Sequence, residues 1–260
     1  MPELRSRPTL LAGFMSLMLL PFSPTLGLAQ SLPADGTTAA ARLEASPRHG
    51  EWITYDAGGG DQVQAWVAYP ERSDPAPVVV VIHDIRAMSD WARAVGDQLA
   101  ADGFIAVVPD LLSGKGPRGG GTESFSTNEL GRAIRDLAPA DVNRRLRAAA
   151  AYGTSLPSAT DRVGVVGFCM GGMLTLVIAD REGDRVAAAA PFYGAPLGPA
   201  PGGPDWSGLT ALVEGHFAGS DDFFPPEAVA QLEADLREMG KDAVLSLIHI
   251  SEPTRPLYIS

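Results

Sequence analysis

The sequence VGVVGFCMGG at residues 163–172 decides how the rest of the chain is interpreted. Its first part, residues 163–166, is a β-rich run of the kind that forms a strand buried in a parallel sheet. Its second part places Cys169 between Gly167 and Gly171, directly before a stretch with helical spacing. So sharp a turn strains the backbone of its central residue and is tolerated only where the flanking positions lack a Cβ atom. We therefore expect Cys169 to stand above the end of a strand.

Short β-rich runs alternate with amphipathic helical stretches along the chain, which predicts an α/β fold with a doubly wound, mainly parallel sheet. Residues 52–55 and 63–69 are expected to form an edge hairpin. The further expected strands are residues 78–82, 104–108, 163–166, 186–190 and 209–214. The expected helices are residues 89–101, 128–152, 171–179 and 226–239. Such sheets place their functional sites at the carboxyl ends of the strands.

Cys169 stands where serine hydrolases have serine in a nucleophile elbow. The start of a helix just beyond it favours a thiolate and offers backbone N–H groups to a developing oxyanion. The alternative is a buried cysteine in a dinucleotide-binding turn. That alternative fits poorly, because the spacing is not G-x-G-x-x-G and no ribose-binding acid ends the next strand.

Four motifs in this order, each near an expected strand end, resemble the dienelactone hydrolase family: residues 79–85, 108–111, 167–172 and 219–225. The resemblance runs from about residue 52 to residue 244. It implies an α/β-hydrolase fold with a Cys–His–Asp triad that acts on a small-molecule ester or lactone. In such a triad the thiolate attacks the carbonyl, an acyl-enzyme forms and water releases the acid. The resemblance implies no metal and no organic cofactor.

The resemblance also implies roles for single residues. Cys169 matches the nucleophile, and Asp221 matches the acid that orients and stabilises the imidazolium. The backbone N–H groups of Ile85 and Met170 match the oxyanion donors. Asp84 matches an acidic residue, usually Glu, that partners the resting cysteine and is displaced by substrate. The shorter side chain at Asp84 departs from the family pattern.

Some assignments stay open at this point. Asp221 is alternatively the cap of the helix expected to begin near Pro226, and Asp222 fits that lesser role better. His83 either lines the site or makes a structural hydrogen bond, and His216 is expected to be packed in the core. The basic residues that grip a substrate carboxylate in the best-known members have no clear counterpart beyond Lys115 and Arg118. The family name therefore does not fix the substrate.

The sequence supplies no convincing triad histidine. In this fold the histidine follows one more strand, which residues 241–244 begin. Residues 245–255 resemble the in-frame translation of a transposon-type sequencing adapter, so residues 245–260 are expected to be a non-native tail. On this interpretation the last strand and helix are missing and the chain itself is inactive. His249 is the rival candidate, but no Gly-rich loop precedes it.

The N-terminal residues are expected to direct export. Arg5 and Arg7 precede an apolar run at residues 10–22, and small residues follow, which predicts a signal peptide over residues 1–29 and a periplasmic or secreted protein. An uncleaved membrane anchor is the alternative. Residues 30–48 are rich in Ser, Pro, Ala and Thr and are expected to be a flexible tether. The hydrolase domain is then residues 49–244.

The composition of the chain limits the kinds of partner that it is expected to bind. The net charge of -11 opposes binding to nucleic acid or to an anionic membrane, and we expect a monomer without stable membrane association once the signal is cleaved. With one cysteine the chain forms no internal disulfide, so an exported protein would keep a thiol in an oxidising compartment. Catalysis is one explanation for a cysteine in that setting. A broader thioester or acyl hydrolase and a non-catalytic ligand-binding protein on the same fold are the alternative functions.

Overall fold

The protein is described by a computed structural model over residues 36–194 and 205–248. The predicted signal peptide, His249 and most of the adapter-like tail lie outside the described residues. A sheet of 8 strands runs through the described part in the order β1-β2-β4-β3-β5-β6-β7-β8. The strands are β1 (Gly50–Asp56), β2 (Gln62–Ala68), β3 (Ala76–Ile82), β4 (Ile105–Pro109), β5 (Ala159–Phe168), β6 (Ala188–Phe192), β7 (Leu212–Ala218) and β8 (Ala243–Ile248).

The sheet has the predicted mainly parallel character. Strand β2 runs antiparallel to both β1 and β4, and all other neighbouring strands are parallel. The helices are α1 (Gly36–Glu44), α2 (Asp90–Ala101), α3 (Thr127–Arg135), α4 (Pro139–Ser155), α5 (Met170–Glu182) and α6 (Pro226–Glu238). Buried residues of α2 pack on one face of the sheet, and buried residues of α4 and α5 pack on the other. The α/β prediction with a doubly wound sheet is therefore confirmed.

The single helix predicted over residues 128–152 is wrong, because the structure has two helices there. Ala138 separates them with φ -65° and ψ 129°, and Pro139 is the first residue of α4. Proline lacks an N–H group and pushes the residue before it out of the helical conformation, so the helix has to end and begin again.

The flexible tether predicted for residues 30–48 is wrong from Gly36 onward. Residues 36–44 form α1, and Ala39 in this helix is fully buried. Just after α1, Arg48 pairs with the buried carboxylate of Asp97 on α2, with the Nη2 and Oδ2 atoms 2.6 Å apart. The average composition of the segment is that of a tether, but it includes an alanine-rich stretch with high helix propensity. This stretch forms a helix that packs against the rest of the domain.

The expectation that the last strand is missing is also wrong. Strand β8 pairs in parallel with β7 from Ala243 opposite Val213 to Ile248 opposite Ala218. Residues 245–248, although adapter-like, thus complete a strand, and Leu245 is buried in it. Their alternating side chains fit the half-buried surface of a strand that pairs with β7, whatever their origin. Among the described residues, no helix combines the length and apolar character needed to cross a bilayer.

Candidate active site

Cys169 occupies a sharp turn between the end of β5 and the start of α5. Its backbone has φ 56° and ψ -117°, a region that residues with a Cβ atom rarely adopt. Neighbouring backbone holds it there: its N–H donates to the carbonyl of Phe192 at 3.0 Å, and its carbonyl accepts from the N–H groups of Gly172 and Met173. Strain of this kind persists only where the surroundings over-determine the conformation, and it is concentrated at functional sites.

The flanking glycines leave no space for side chains. A Cβ atom on Gly167 would lie 2.1 Å from the carbonyl oxygen of Gly171. A Cβ atom on Gly171 would lie 2.3 Å from the carbonyl oxygen of Ile82, at the end of β3. The turn therefore packs directly against the neighbouring strand, and both positions have to be glycine for the steric reason expected from the sequence.

The two expected oxyanion donors lie at the same edge of the sheet as the cysteine. Met170 is the first residue of α5, so its N–H group has no acceptor within the helix and belongs to the positive end of the helix dipole. Ile85 follows β3, whose last residue, Ile82, is in register with Gly167 of β5. The role of both N–H groups toward an oxyanion stays a prediction.

Asp84 forms an ion pair that the sequence did not suggest. Its Oδ1 accepts a hydrogen bond from the backbone N–H of Arg86 at 2.8 Å, and its Oδ2 accepts one from Nε of Arg86 at 2.9 Å. The Nη2 atom of Arg86 is a further 2.8 Å contact to Oδ2. Asp84 is only 8% exposed, and the guanidinium of Arg86 neutralises the charge of its buried carboxylate. A contact between Asp84 and resting Cys169 stays a prediction.

Asp221 lies in the loop after β7, where the resemblance expects the triad acid. Its Oδ1 accepts hydrogen bonds from the backbone N–H groups of Phe223 at 2.8 Å and Phe224 at 3.1 Å. The residue that caps α6 is Pro225, so Asp221 closes a turn before the helix and does not cap it. The carboxylate is thereby fixed at the carboxyl edge of the sheet, and its part in a triad stays a prediction.

The described histidines have structural contacts. His83 is buried: its Nδ1–H donates to the carbonyl of Asp84 at 2.8 Å, and its Nε2 accepts from the N–H of Leu111. These bonds join the loops after β3 and β4. The His216 ring lies 4.8 Å from that of Phe192, with its side chain 27% exposed, so it is packed but not fully enclosed. We assign none of the described histidines to the triad.

Sequence reasoning overlooked Arg86 and Tyr193. Tyr193 follows β6 with φ 40°, and its N–H donates to the carbonyl of His216 at 2.7 Å. Its position in the sequence could have identified it, because Tyr193 comes soon after an expected strand and therefore at the edge of the sheet where functional sites form. For Arg86 the signal was a basic residue two positions after Asp84, in the loop that also carries Ile85.

Nearby groups act on the pKa of the Arg86 guanidinium in opposite directions. Burial by itself would lower the pKa of its guanidinium, but the hydrogen bond and charge of Asp84, followed by the charges of Tyr193 and Cys169, raise it. Among residues 36–194 and 205–248, no group of three or more His, Cys, Asp and Glu residues is arranged to hold a metal ion. The groups that the structure brings to this edge of the sheet are the thiol of Cys169, backbone N–H groups, the Asp84–Arg86 pair and the carboxylate of Asp221.

Comparison with known proteins finds relatives in sequence and in fold. A carboxymethylenebutenolidase of Pseudomonas sp. (strain P51) is 34% identical over 134 residues, which cover 50% of this chain and 55% of that protein. A dienelactone hydrolase-like promiscuous phosphotriesterase from metagenomic libraries superposes with a TM-score of 0.66 at 23% identity, over 77% of this chain and 81% of that one. An acylaminoacyl peptidase of Pyrococcus horikoshii gives 0.60 at 16% identity, over 82% and 39%. These two structures share the fold.

The family assignment rests on the sequence profile. The alignments with the relatives from Pseudomonas and Synechocystis span 55% and 58% of those proteins. The profile of the dienelactone hydrolase family matches residues 63–249, which takes in the turn around Cys169, the loop with Asp84 and the loop with Asp221. This chain belongs to the dienelactone hydrolase family.

Proposed function

We propose that the protein hydrolyses carboxylic esters or lactones, with Cys169 as the nucleophile of an acyl-enzyme mechanism. The observation that carries the proposal is the strained backbone of Cys169, which raises the thiol above the sheet at the start of α5. Membership of a hydrolase family supports the reaction class.

The proposed chemistry follows from the groups around the thiol. The Cys169 thiolate attacks the carbonyl carbon, and the electron pair of the C=O bond moves onto oxygen. The N–H groups of Met170 and Ile85 stabilise this oxyanion by hydrogen bonds that strengthen as charge develops. Collapse expels the alkoxide, which takes a proton from water, and leaves a thioester on Cys169. Water then adds to the thioester and loses a proton to solvent, the thiolate leaves and the acid is released. Asp221 would orient a base for these proton transfers, and among the described residues no histidine is assigned to that role.

Exposed apolar side chains support a substrate with an apolar portion. Ile85, Met173 and Phe223 are all large and exposed, and they belong to the loop after β3, the start of α5 and the loop after β7. These three segments follow β3, β5 and β7, whose carboxyl ends lie at the same edge of the sheet as Cys169. Exposed apolar residues grouped in this way are typical of a ligand-binding surface. We therefore expect esters with apolar acyl or alcohol groups to be preferred over small polar ones.

The proposal is tested by hydrolysis of a panel of esters, thioesters and lactones by the wild type and by Cys169→Ala and Cys169→Ser. Activity above background in the wild type that is lost in Cys169→Ala supports the mechanism, and the preferred members of the panel separate ester from thioester hydrolysis. Activity that persists in Cys169→Ala would remove the nucleophile assignment. A folded protein that binds members of the panel without converting them would favour the ligand-binding alternative.

A further inference from the structure

Asp84 holds Arg86 in one place through the backbone N–H and through the guanidinium. The carboxylate accepts the backbone N–H of Arg86 with one oxygen and the guanidinium with the other. The first bond closes a turn over the peptide of Ile85, and the second fixes the long side chain over that turn. Paired charge-assisted bonds of this kind specify geometry as well as contributing energy. The Arg86 side chain still has 52% of its surface exposed.

The turn carrying Arg86 lies beside the elbow. Strands β3 and β5 are neighbours, with Ile82 opposite Gly167. Gly171 approaches the end of β3 so closely that a Cβ atom would be 2.7 Å from the carbonyl oxygen of His83. Arg86 follows only three residues later. The electrostatic effect of Cys169 and Tyr193 on the pKa of the Arg86 guanidinium is consistent with that proximity.

We propose that Arg86 is a positioning residue that stabilises the Cys169 thiolate by its charge, and that Asp84 keeps it in place while fixing the turn that presents the Ile85 N–H. The inference deepens the proposed function and rests on it only in taking Cys169 as the nucleophile. Arg86 acts through the cysteine and the Ile85 turn, and no contact between Arg86 and substrate is part of the proposal.

The charged groups at the carboxyl edge of the sheet determine whether the pKa of Cys169 is raised or lowered. The titratable groups of the segments at this edge include His83, Asp84 and Arg86 after β3, Tyr193 after β6, His216 near the end of β7, and Asp221 and Asp222 after it. The carboxylates disfavour a thiolate. The positive charge of Arg86 and the start of α5 favour it. Removing the Arg86 charge therefore raises the pKa of Cys169. We expect a rise of about one unit, at the lower end of the usual range because the side chain is half exposed and screened by water.

The test is the rate of Cys169 alkylation by iodoacetamide as a function of pH, which reports the pKa of the thiol without any substrate. The variants are Arg86→Gln, Arg86→Lys and, as a matched change of charge, Arg132→Gln on the exposed surface of α3. The expected result is a raised pKa in Arg86→Gln, a largely retained pKa in Arg86→Lys and no change in Arg132→Gln. A thiol pKa in folded Arg86→Gln equal to that of the wild type would overturn the proposal.

Salt gives a second measurement, the difference in salt dependence between the wild type and Arg86→Met, which keeps the proposal testable if Arg86→Gln fails to fold. Because the Arg86 side chain is half exposed, added salt screens its charge, and the pKa of Cys169 is expected to rise more with ionic strength in the wild type than in Arg86→Met. An equal salt dependence in the two proteins would contradict the proposal.

The outcomes separate this inference from the proposed function. A wild type whose thiol pKa depends on Arg86, but which hydrolyses no ester, would contradict the proposed function and leave the role of Arg86 intact. A wild type that hydrolyses esters through Cys169, with a thiol pKa that does not depend on Arg86, would contradict the present inference alone.

Discussion

At the residue scale, the backbone of Cys169 is the most informative feature of the protein. Hydrogen bonds to Phe192, Gly172 and Met173 hold the backbone of Cys169 at a positive φ. This conformation costs conformational free energy, and such strain is concentrated at functional sites. The same geometry directs the thiol to the edge of the sheet where parallel strands end. Strain and position together explain why one cysteine carries the proposed chemistry.

Cys169→Gly is expected to be more stable than Cys169→Ala, since both remove the thiol but only glycine adopts the backbone conformation without strain. Relief of strain is worth about 1–3 kcal/mol, and the greater freedom of unfolded glycine offsets about 0.5–1 kcal/mol of it. The expected net difference is about 1 kcal/mol, measured by urea unfolding. An alanine variant at least as stable as the glycine variant would show that the turn is not strained.

Gly171→Ala is expected to destabilise the fold by about 2 kcal/mol or more, because the added methyl group meets the carbonyl oxygens of Ile82 and His83. Gly131→Ala is the matched control. Gly131 lies inside α3, where a Cβ atom would meet only the end of the Arg135 side chain at 3.4 Å, so the same change is expected to stabilise by about 0.5–1 kcal/mol. Equal effects at the two positions in thermal unfolding would refute the steric account.

Much of the candidate site was predictable at this scale, because it consists of residues at fixed distances from strand ends. The sequence placed Cys169, Asp221, Ile85 and Met170 at the edge where the structure has them. It did not reveal the partner of Asp84, since the choice between Arg86 and any other group depends on the path of one short loop. Their catalytic roles stay predictions.

At the element scale, the corrections come from residues whose partners lie far away in the sequence. The helix α1 was mistaken for a tether because its docking surface on α2 is about fifty residues further along. Composition describes a segment in isolation, whereas burial of Ala39 depends on that distant surface. The break between α3 and α4 was the opposite case, since Pro139 was visible in the sequence and was given too little weight.

Ala39→Glu is expected to detach α1, because it forces a charge into a fully buried position. Trypsin cleavage after Arg42 and Arg48 should then become much faster while the rest of the fold stays intact. Ala40→Glu, at the exposed neighbouring position, provides the comparison and is expected to leave cleavage unchanged. Similar cleavage rates in the two variants would argue that α1 is not docked.

The loop before β2 is joined to α4 by a buried ion pair. Asp61 accepts two hydrogen bonds from Arg145, at 2.6 Å and 2.9 Å, and the Arg145 side chain is only 2% exposed. Asp61→Asn leaves this guanidinium without its main counter-charge, and we expect a loss of about 3 kcal/mol in the free energy of unfolding at pH 7. Asp222→Asn, at an exposed carboxylate, is the control and is expected to have little effect.

The same pair predicts a pH dependence. The hydrogen bond from Arg145 is the main cause that holds the pKa of Asp61 below its usual value, while burial opposes it. The stabilisation is therefore complete above the unfolded pKa of about 3.9 and is lost as the pH falls through the lower folded value. Urea unfolding at pH 7 and pH 3 should show a smaller loss of stability on acidification in Asp61→Asn than in the wild type. Equal losses would contradict this.

At the scale of the whole molecule, the alternation of strands and helices was sufficient to predict the architecture. The β-branched runs identified the buried central strands, and the glycines at the turn identified where the sheet carries its site. The end of the sheet was predicted less well. The sequence from residue 245 resembles an adapter, but residues 245–248 have the apolar pattern of a strand and lie beside β7.

The β8 side of the sheet is expected to cause self-association at high concentration, in contrast to the monomer expected from the sequence. Strand β8 is the last in the order of the described strands, and Val244 and Leu247 on it are 48% and 47% exposed. An edge strand with exposed apolar residues is a template for pairing with another chain. Val244→Lys should therefore reduce aggregation measured by light scattering, whereas Gln231→Lys, the same added charge on exposed α6, should not. A wild type that stays monomeric at high concentration would contradict this.

The most direct test of the account is whether Cys169 forms an acyl-enzyme. The protein is mixed with an activated ester such as p-nitrophenyl acetate, quenched in acid, and examined by intact mass and by peptide mapping, with Cys169→Ala as the control. One added acyl group is expected in the wild type, located on Cys169 and absent from the variant. An unmodified wild type, or an acyl group on another residue that persists in Cys169→Ala, would contradict the central claim that the strained thiol is the nucleophile.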